Sequence, residues 1–405
     1  MVKFAVALLA ILGAVAVHAQ DGTYFSTLYS NPYKYSLGTH WDGGVVAKDG
    51  GVATIHPNTS WAKYNIFVQD VAGLELSGIN FVNALFTMTG NPIKFVADNS
   101  VVDYSRFDPD NDILELAKEL TVAVAFKGTG ENCLVKKGKG WMNFAVPVED
   151  FAVLYFKDGV ILSTNASGRI VAKTQIDFSK RIDVCPGPAE ELASELTLGN
   201  GQLTASGDAA QIRLAKGANT SLVLKASSLA LPGCSTLAIG LDDGIGSLGE
   251  SVKFKLDETP ELTDGIVDQR IVARDRSVAS APFSLLSYDT DKGFIPATMT
   301  DGFDGGEDKI ARISESCNLT ESKKVLALVV DNSVSITNAS DVTIKVGDGV
   351  NPASVLLNNQ VGSKNYNEIR GGAIDFGSSH GIFIGRQMTM VRLQNLSAIL
   401  KAITA

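Results

Sequence analysis

The chain has 405 residues, of which 45% are hydrophobic and 20% are charged. This composition excludes a disordered chain, and its 39 glycines, which follow no three-residue period, exclude collagen. The formal net charge is −9, because 35 basic residues are diluted by 44 acidic ones. A nucleic-acid partner is therefore not expected, since binding phosphates requires clustered lysine and arginine.

The first 19 residues predict a cleaved signal peptide. Lys3 precedes an apolar run over 4–17, and Ala19 supplies the small residue before a cut between Ala19 and Gln20. The run is short for a membrane-spanning helix, and no later run is long enough. An uncleaved anchor or a buried helix is the alternative. Cleavage predicts a secreted or cell-surface protein without a transmembrane span.

Most of the remaining chain alternates apolar with polar or small residues, which predicts strands with one buried face. The clearest segments are 74–82, 120–126, 220–226, 252–256 and 342–346. Glycine, asparagine and aspartate recur between these runs and predict turns. Only two short helices are predicted, over 190–196 and 397–403.

Three all-β architectures suit a chain of this length: repeated sandwiches, a propeller and a solenoid. The chain lacks both the period of about 100 residues typical of sandwich repeats and the blade signature of about 40–50 residues. We therefore predict a single-stranded, parallel, right-handed β-helix, or β-solenoid. Residues 20–185 and 190–405 would form two segments of it, or one continuous solenoid if the two prolines that follow Cys185 only mark a loop.

A glycine-rich motif lies within residues 121–162. Its characteristic positions are Leu134, Lys136, Gly138, Gly140, Phe144 and Gly159. The pattern, L-x-K-x-G-x-G followed after a gap by x-x-G-x-L, resembles the autotransporter-associated β-strand repeat. Segments 39–55, 283–296 and 369–384 are similar to other stretches of autotransporter passenger proteins. The resemblance implies a secreted or surface β-helical protein without a particular activity, although the chain has one clear copy of the repeat and carries cysteines.

Export also makes disulfides and glycosylation possible. Four cysteines could pair in three ways or remain free thiols. They are Cys133, Cys185, Cys234 and Cys317. The six Asn-x-Ser/Thr sequons are at Asn58, Asn165, Asn219, Asn318, Asn338 and Asn395.

One acidic stretch is a candidate calcium site, and no other cofactor is predicted. Asp108, Asp110 and Asp112 alternate like the start of a calcium loop, and Glu115 and Glu119 follow them. Ile113 stands where such a loop has glycine, so a solvated acidic turn is the alternative. Residues 289–308 form a second, similar stretch.

Other polar and aromatic groups favour structural interpretations. His380 and the pair Asp242 and Asp243 resemble elements of pectin-degrading hydrolases, but several coils would separate them, so turn positions are predicted for both aspartates. A second group is a basic cluster, predicted to be a solvated turn or a contact for an anionic glycan; its members are Lys136, Lys137 and Lys139. The N-terminal aromatic residues are predicted to cover the open edge of the first coil, or else to stack on sugars; they are Tyr24, Tyr29, Tyr33, Tyr35, Trp41 and Trp61.

These expectations combine into a non-catalytic structural or adhesive protein. It would present an extended surface to extracellular glycans or surface proteins, or to other copies of itself, through many weak contacts. One alternative is an extracellular polysaccharide lyase or glycoside hydrolase on a β-helix. Another is a self-assembling filament or sheath subunit.

Overall fold

The computed structural model describes residues 19–26, 33–57, 65–82, 86–105, 119–163, 170–185, 194–197, 201–278, 281–358, 367–385 and 402–404. Apart from Ala19, the predicted signal peptide lies outside these ranges. The described residues are nearly all β-strands and turns, with 3-10 turns at Gly38–His40, Asp42–Gly44 and Ile245–Ser247. None of their helices has the length and hydropathy needed to cross a bilayer.

The N-terminal strands form parallel sheets that the chain visits in turn. The first sheet contains β1 (Gly22–Ser26), β3 (Val52–Pro57), β6 (Gly78–Val82), β9 (Asn99–Ser105), β12 (Cys133–Lys137), β14 (Val148–Phe156), β16 (Ile170–Phe178), β19 (Gln202–Ala205) and β22 (Ser228–Ala230). A second row joins this sheet through β14; it contains β5 (Leu74–Leu76), β8 (Ile93–Phe95) and β11 (Phe126–Lys127).

We call strands β1 to β25 the N-terminal ladders, and the remaining ones lie in a second and a third sheet. The second contains β2 (Tyr33–Lys34), β4 (Asn65–Gln69), β7 (Phe86–Gly90), β10 (Glu119–Ala123), β13 (Trp141–Phe144), β15 (Val160–Ser163), β17 (Arg181–Val184), β20 (Ala210–Leu214), β23 (Leu237–Leu241) and β25 (Ile271–Asp275). The third contains β18 (Ser194–Thr197), β21 (Leu222–Ala226) and β24 (Val252–Leu256). Two antiparallel strands, β26 (Phe283–Asp289) and β27 (Gly293–Pro296), then end the second sheet.

The C-terminal ladders, β28 to β39, repeat this arrangement with three shorter parallel sheets. The first contains β28 (Thr300–Asp301), β29 (Ile310–Ile313), β32 (Ala327–Val330), β35 (Ala353–Leu357), β38 (Gly381–Gly385) and β39 (Ala402–Thr404). The other two contain β30 (Cys317–Leu319), β33 (Ser335–Asn338) and β36 (Glu368–Arg370), and β31 (Lys323–Val325), β34 (Thr343–Val346) and β37 (Ala373–Asp375).

These strands confirm the period-two interpretation, and each of the five clearest segments contains one or two of them. The helix predicted over 190–196 is wrong for its described residues, because 194–197 form a strand. The helix predicted over 397–403 is wrong at 402–403, which belong to another strand. At Glu195–Leu196 and Ala402–Ile403, pairing with the neighbouring strands β21 and β38 overrides the weak helical preference.

Parallel register stacks apolar side chains of similar size inside the N-terminal ladders. Leu134 pairs with Leu154, which pairs with Ile176, and Ile176 pairs with Leu203. All four are buried in one hydrophobic core that extends from Tyr24 to Phe294. The second sheet contains strands from both sides of Cys185, because β17 pairs with both β15 and β20.

A separate core fills the C-terminal ladders, and the two sets of ladders pack side by side. Leu328 points into the C-terminal core, while its neighbour Val329 joins a cluster that includes Val272 of β25. The side-chain amide of Gln269 links the two sets, donating to Leu326 O (2.9 Å) and accepting from Ser354 N (2.8 Å). Asn358 Oδ1 likewise accepts from Phe283 N (2.8 Å).

The N-terminal edge is covered by aromatic residues. Tyr24, Tyr35 and Trp41 are buried, and Trp41 Nε1 donates to Tyr35 O (2.8 Å). Antiparallel bridges join Gln20 to Lys48 and Tyr24 to Trp41 along the outer edge of β1. These side chains cover the edge, as one of the two interpretations of the aromatic residues requires. Tyr33 is half-buried, whereas Tyr29 and Trp61 lie outside the described residues.

The repeat-like motif forms a lysine-centred turn. Lys136 is fully buried, and its Nζ donates to the carbonyls of Gly138 (2.6 Å), Gly140 (2.9 Å) and Asp158 (2.5 Å). Gly159 lies against this ammonium, since a Cβ there would be 2.4 Å from Lys136 Nζ. The prediction that Lys136 lies in a solvated turn is therefore wrong, although Lys137 and Lys139 are at the surface.

The other motif positions pack around the same turn. Gly138 has a φ of 77°, and a Cβ at Gly140 would lie 2.2 Å from the Tyr104 ring. Both positions therefore require glycine, by conformation or by close contact. Leu134 and Phe144 are buried in the core beside them.

We expect Lys136→Met to lower the free energy of unfolding by about 2 kcal/mol, because carbonyl groups at the turn lose their donor. The matched control is Lys137→Met, at the exposed next residue, which should change it by less than about 0.5 kcal/mol. Urea unfolding measures both. Equal values for the two variants would contradict a structural role for the buried ammonium.

The same lysine predicts a pH dependence. Burial outweighs the attraction of Asp158 and Asp103 and lowers the pKa of Lys136 to about 8 from 10.5. Between these values the unfolded chain binds one more proton than the folded chain, so the contribution of this group to stability rises with pH. The free energy of unfolding of the native protein relative to Lys136→Met should increase by about 2 kcal/mol from pH 7 to pH 10. A difference that stays constant or falls over this range would contradict the pKa shift.

Candidate functional site

The densest group of charges in the described residues lies on the outward side of the second sheet. We call it the arginine–aspartate cluster; it contains Arg181, Asp183, Arg213, Asp242 and Arg276. Because side chains alternate along a strand, Ile182 and Val184 point into the core while Arg181 and Asp183 point outward. Asp183 pairs in register with Arg213 on the neighbouring strand.

Arginine forks hold both carboxylates of the cluster. Arg181 Nε and Nη2 donate to the two oxygens of Asp183 at 2.5 and 2.6 Å. Arg213 Nη1 donates to the same carboxylate (3.2 Å), while its Nε and Nη2 donate to Asp242. The side chain of Asp183 is 0% exposed, so its charge is balanced entirely inside the cluster. Arg181 also lies over the ring of Trp141, 5.6 Å from its centroid.

Arg276 is the least satisfied member of the cluster. Its Nε lies 3.4 Å from Asp242 Oδ1 but forms no hydrogen bond, and it is buried. Burial and repulsion from Arg181 and Arg213 lower the pKa of this guanidinium. Its stem lies on the sheet above Gly240, where a Cβ would be 2.5 Å from Arg276 Cδ.

The cluster can bind a ligand more readily than it can catalyse. A glycoside hydrolase places two carboxyl groups on either side of the scissile bond, whereas both carboxylates here already accept arginine hydrogen bonds. Among the described residues no group of three or more histidine, cysteine, aspartate or glutamate residues could hold a metal ion. The chemistry that remains is donation from guanidinium N–H groups to an anion.

Sequence reasoning missed Arg181, Asp183, Arg213 and Arg276. The turn predicted at Asp242 and Asp243 is confirmed, and Asp242 also forms ion pairs with Arg213 and Arg276. A signal was present: Arg213 follows Asp183 by 30 residues and Asp242 follows Arg213 by 29. On a chain that returns to the same sheet at intervals, such spacing places opposite charges on adjacent strands. Asp243 instead lies beside Lys216 (3.7 Å), and His380 is exposed elsewhere.

The structure pairs none of the four cysteines: Cys133, Cys185, Cys234 and Cys317 are free and half-buried. Cys185 adjoins the cluster, and burial raises the pKa of its thiol to about 11. Among the sequons, Asn318 is exposed, whereas Asn219 and Asn338 are buried. Asn58, Asn165 and Asn395 lie outside the described residues.

The calcium candidate falls almost wholly outside the described residues. Asp108, Asp110 and Asp112 are not described, and Glu119 is described only as the first backbone position of β10. In the second acidic stretch, Asp289 Oδ1 accepts from the backbone N–H groups of Asp291 and Lys292, which identifies a turn. Farther on, an open polar groove of about 490 Å³ is lined by residues including Asp301, Asp304, Glu315, Glu321 and Lys323.

Comparisons with known proteins identify neither a family nor a relative of this chain. No protein-family model matches the chain, and no curated protein or solved structure matches it.

We expect Asp183→Asn to lower the free energy of unfolding by about 3 kcal/mol, because two partly buried guanidinium groups lose their counter-charge. The control is Asp331→Asn, which breaks a more exposed pair with Arg312 and should cost less than about 1 kcal/mol. Thermal and urea unfolding measure the effect. A neutral Asp183→Asn substitution would show that the cluster does not stabilise these strands.

Proposed function

We propose that this chain is a secreted or cell-surface protein with a non-catalytic structural or adhesive role. The signal-like N-terminus supports export. We also propose that the ladders wind as a parallel, right-handed β-helix, because the chain visits three rows of parallel strands in turn and returns to each one. A stiff stack of this kind would present its outward side chains as one extended surface.

The observation that carries the non-catalytic proposal is the pairing of outward charges across neighbouring strands. Lys94 lies 2.8 Å from Glu75, and Lys127 lies 3.0 Å from Glu149. In the arginine–aspartate cluster, both carboxylates are likewise bound by arginine. Paired groups of this kind hold a surface in place and leave no carboxyl group there poised to transfer a proton.

The lysine-centred turn supports a relationship to autotransporter-associated repeats. The motif positions meet at one place, where Lys136 holds the carbonyls and Gly159 leaves room for its ammonium. This geometry gives a physical reason for a lysine and spaced glycines in such a repeat. The resemblance supports a β-helical fold and export, and it implies no particular activity.

The second candidate is a polysaccharide-active enzyme; the convergence of charged side chains from neighbouring strands favours it, whereas the arginine hydrogen bonds to both carboxylates of the cluster weigh against it. Asp183, Arg213 and Asp242 converge from neighbouring strands, as residues of a substrate groove would. The filament alternative receives less support, because the bridges from Gln20 and Tyr24 cover the outer edge of β1. A covered edge resists strand-to-strand addition at that end.

A single preparation tests these functions together. We expect the purified protein to be retained on immobilised extracellular glycans or matrix proteins, to release no reducing ends or unsaturated sugars from a panel of polysaccharides, and to remain monomeric by light scattering at micromolar concentration. Sugar release that is lost in Asp242→Asn would replace the adhesive proposal with the enzymatic one. An apparent molar mass that rises with concentration would instead support the filament subunit.

A further inference from the structure

Arg276 has hydrogen-bonding capacity that the described part of the chain does not use. Its Nε lacks a hydrogen-bond acceptor, and the guanidinium makes one ion pair, with Asp242. A quarter of its side chain is exposed (25%), and because Nε is buried, a ligand would contact the terminal Nη groups. By contrast, the guanidinium groups of Arg181 and Arg213 donate hydrogen bonds to Asp183 and Asp242.

The charge of the cluster also favours an added anion. Three guanidinium groups face two carboxylates, which leaves one positive charge. The surrounding groups do not neutralise it: Lys216 pairs with Asp243, and Asp275, whose Oδ1 accepts from Ser277, is not among the charges that shift the pKa of Arg276. The Cys185 thiol adds no charge near neutral pH, because burial raises its pKa to about 11.

The position of Arg276 is set by the backbone beneath it. Gly240 lies on β23, and the absence of a side chain there lets the Arg276 stem lie against the sheet. A stem held in this way loses little further freedom when a ligand binds, so the fork is preorganised. Trp141 supports the neighbouring Arg181 from the side through a cation–π contact.

We propose that Arg276 binds the carboxylate group of an acidic glycan, beside Arg181 and Arg213, which hold the two aspartates of the cluster in place. A planar carboxylate matches the guanidinium fork in two parallel hydrogen bonds, and its single negative charge equals the excess charge of the cluster. This inference rests on the proposed adhesive function, because it names the glycan class that the surface would hold.

The test is isothermal titration calorimetry of the full chain with tri-galacturonate at about 0.15 M ionic strength. Arg276→Gln is expected to weaken binding at least tenfold. The control is Arg312→Gln, which removes the same charge from a pair in the C-terminal ladders and should change binding less than twofold. Equal losses in the two variants would overturn the site, because net charge alone would then explain them.

A second variant moves the arginine and keeps every charge. Gly240→Ala places a methyl group where Arg276 Cδ lies, so binding should again fall at least tenfold while a urea midpoint confirms that the chain is folded. Native affinity in folded Gly240→Ala would overturn the site. A sulfated trisaccharide that binds more tightly than tri-galacturonate would overturn the carboxylate assignment. Retention on neutral glycans without any binding of tri-galacturonate would overturn this inference and leave the adhesive function standing.

Discussion

Parallel, in-register pairing is the constraint on which the rest of this structure depends. Each residue in a ladder lies directly above its counterpart at the ordinary strand spacing of about 4.8 Å. The side chain at one position therefore restricts which side chain can lie at the paired position on the next strand. Inside the ladders this favours the leucine and isoleucine column of Leu134, Leu154, Ile176 and Leu203. It also requires any polar group that takes an inward position to find all of its partners there.

Lys136 and Asp183 are both fully buried, and they find their partners in two different ways. Lys136 points inward in line with Leu134 and uses backbone carbonyls, which carry no formal charge. Asp183 points outward, yet the arginines of its own strand and of the next strand cover it completely. In both cases strand pairing holds the hydrogen-bond partners in position, so the same backbone geometry that pairs the strands also stabilises the buried polar group.

Much of the β-structure was predictable from sequence because period two is a direct consequence of strand geometry, and segments such as 252–256 show it plainly. The same period places Lys136 on the face of Leu134, but its two lysine neighbours suggested a solvated turn. The helix predicted over 190–196 was wrong at 194–196, because strand pairing, which local sequence does not carry, decides residues 194–197. The arginine–aspartate cluster was missed because its members come together only through register between strands.

The contact between the two sets of ladders determines the solution conditions under which they stay packed together. Gln269 and Asn358 bridge it with amide groups that neither titrate nor attract counter-ions, and apolar side chains such as Val272 and Val329 fill the rest. Such a contact has no titrating group among these residues, and salts that are excluded from apolar surface strengthen it. The two sets of ladders should therefore stay packed together at ionic strengths that screen the ion pairs on the outer faces.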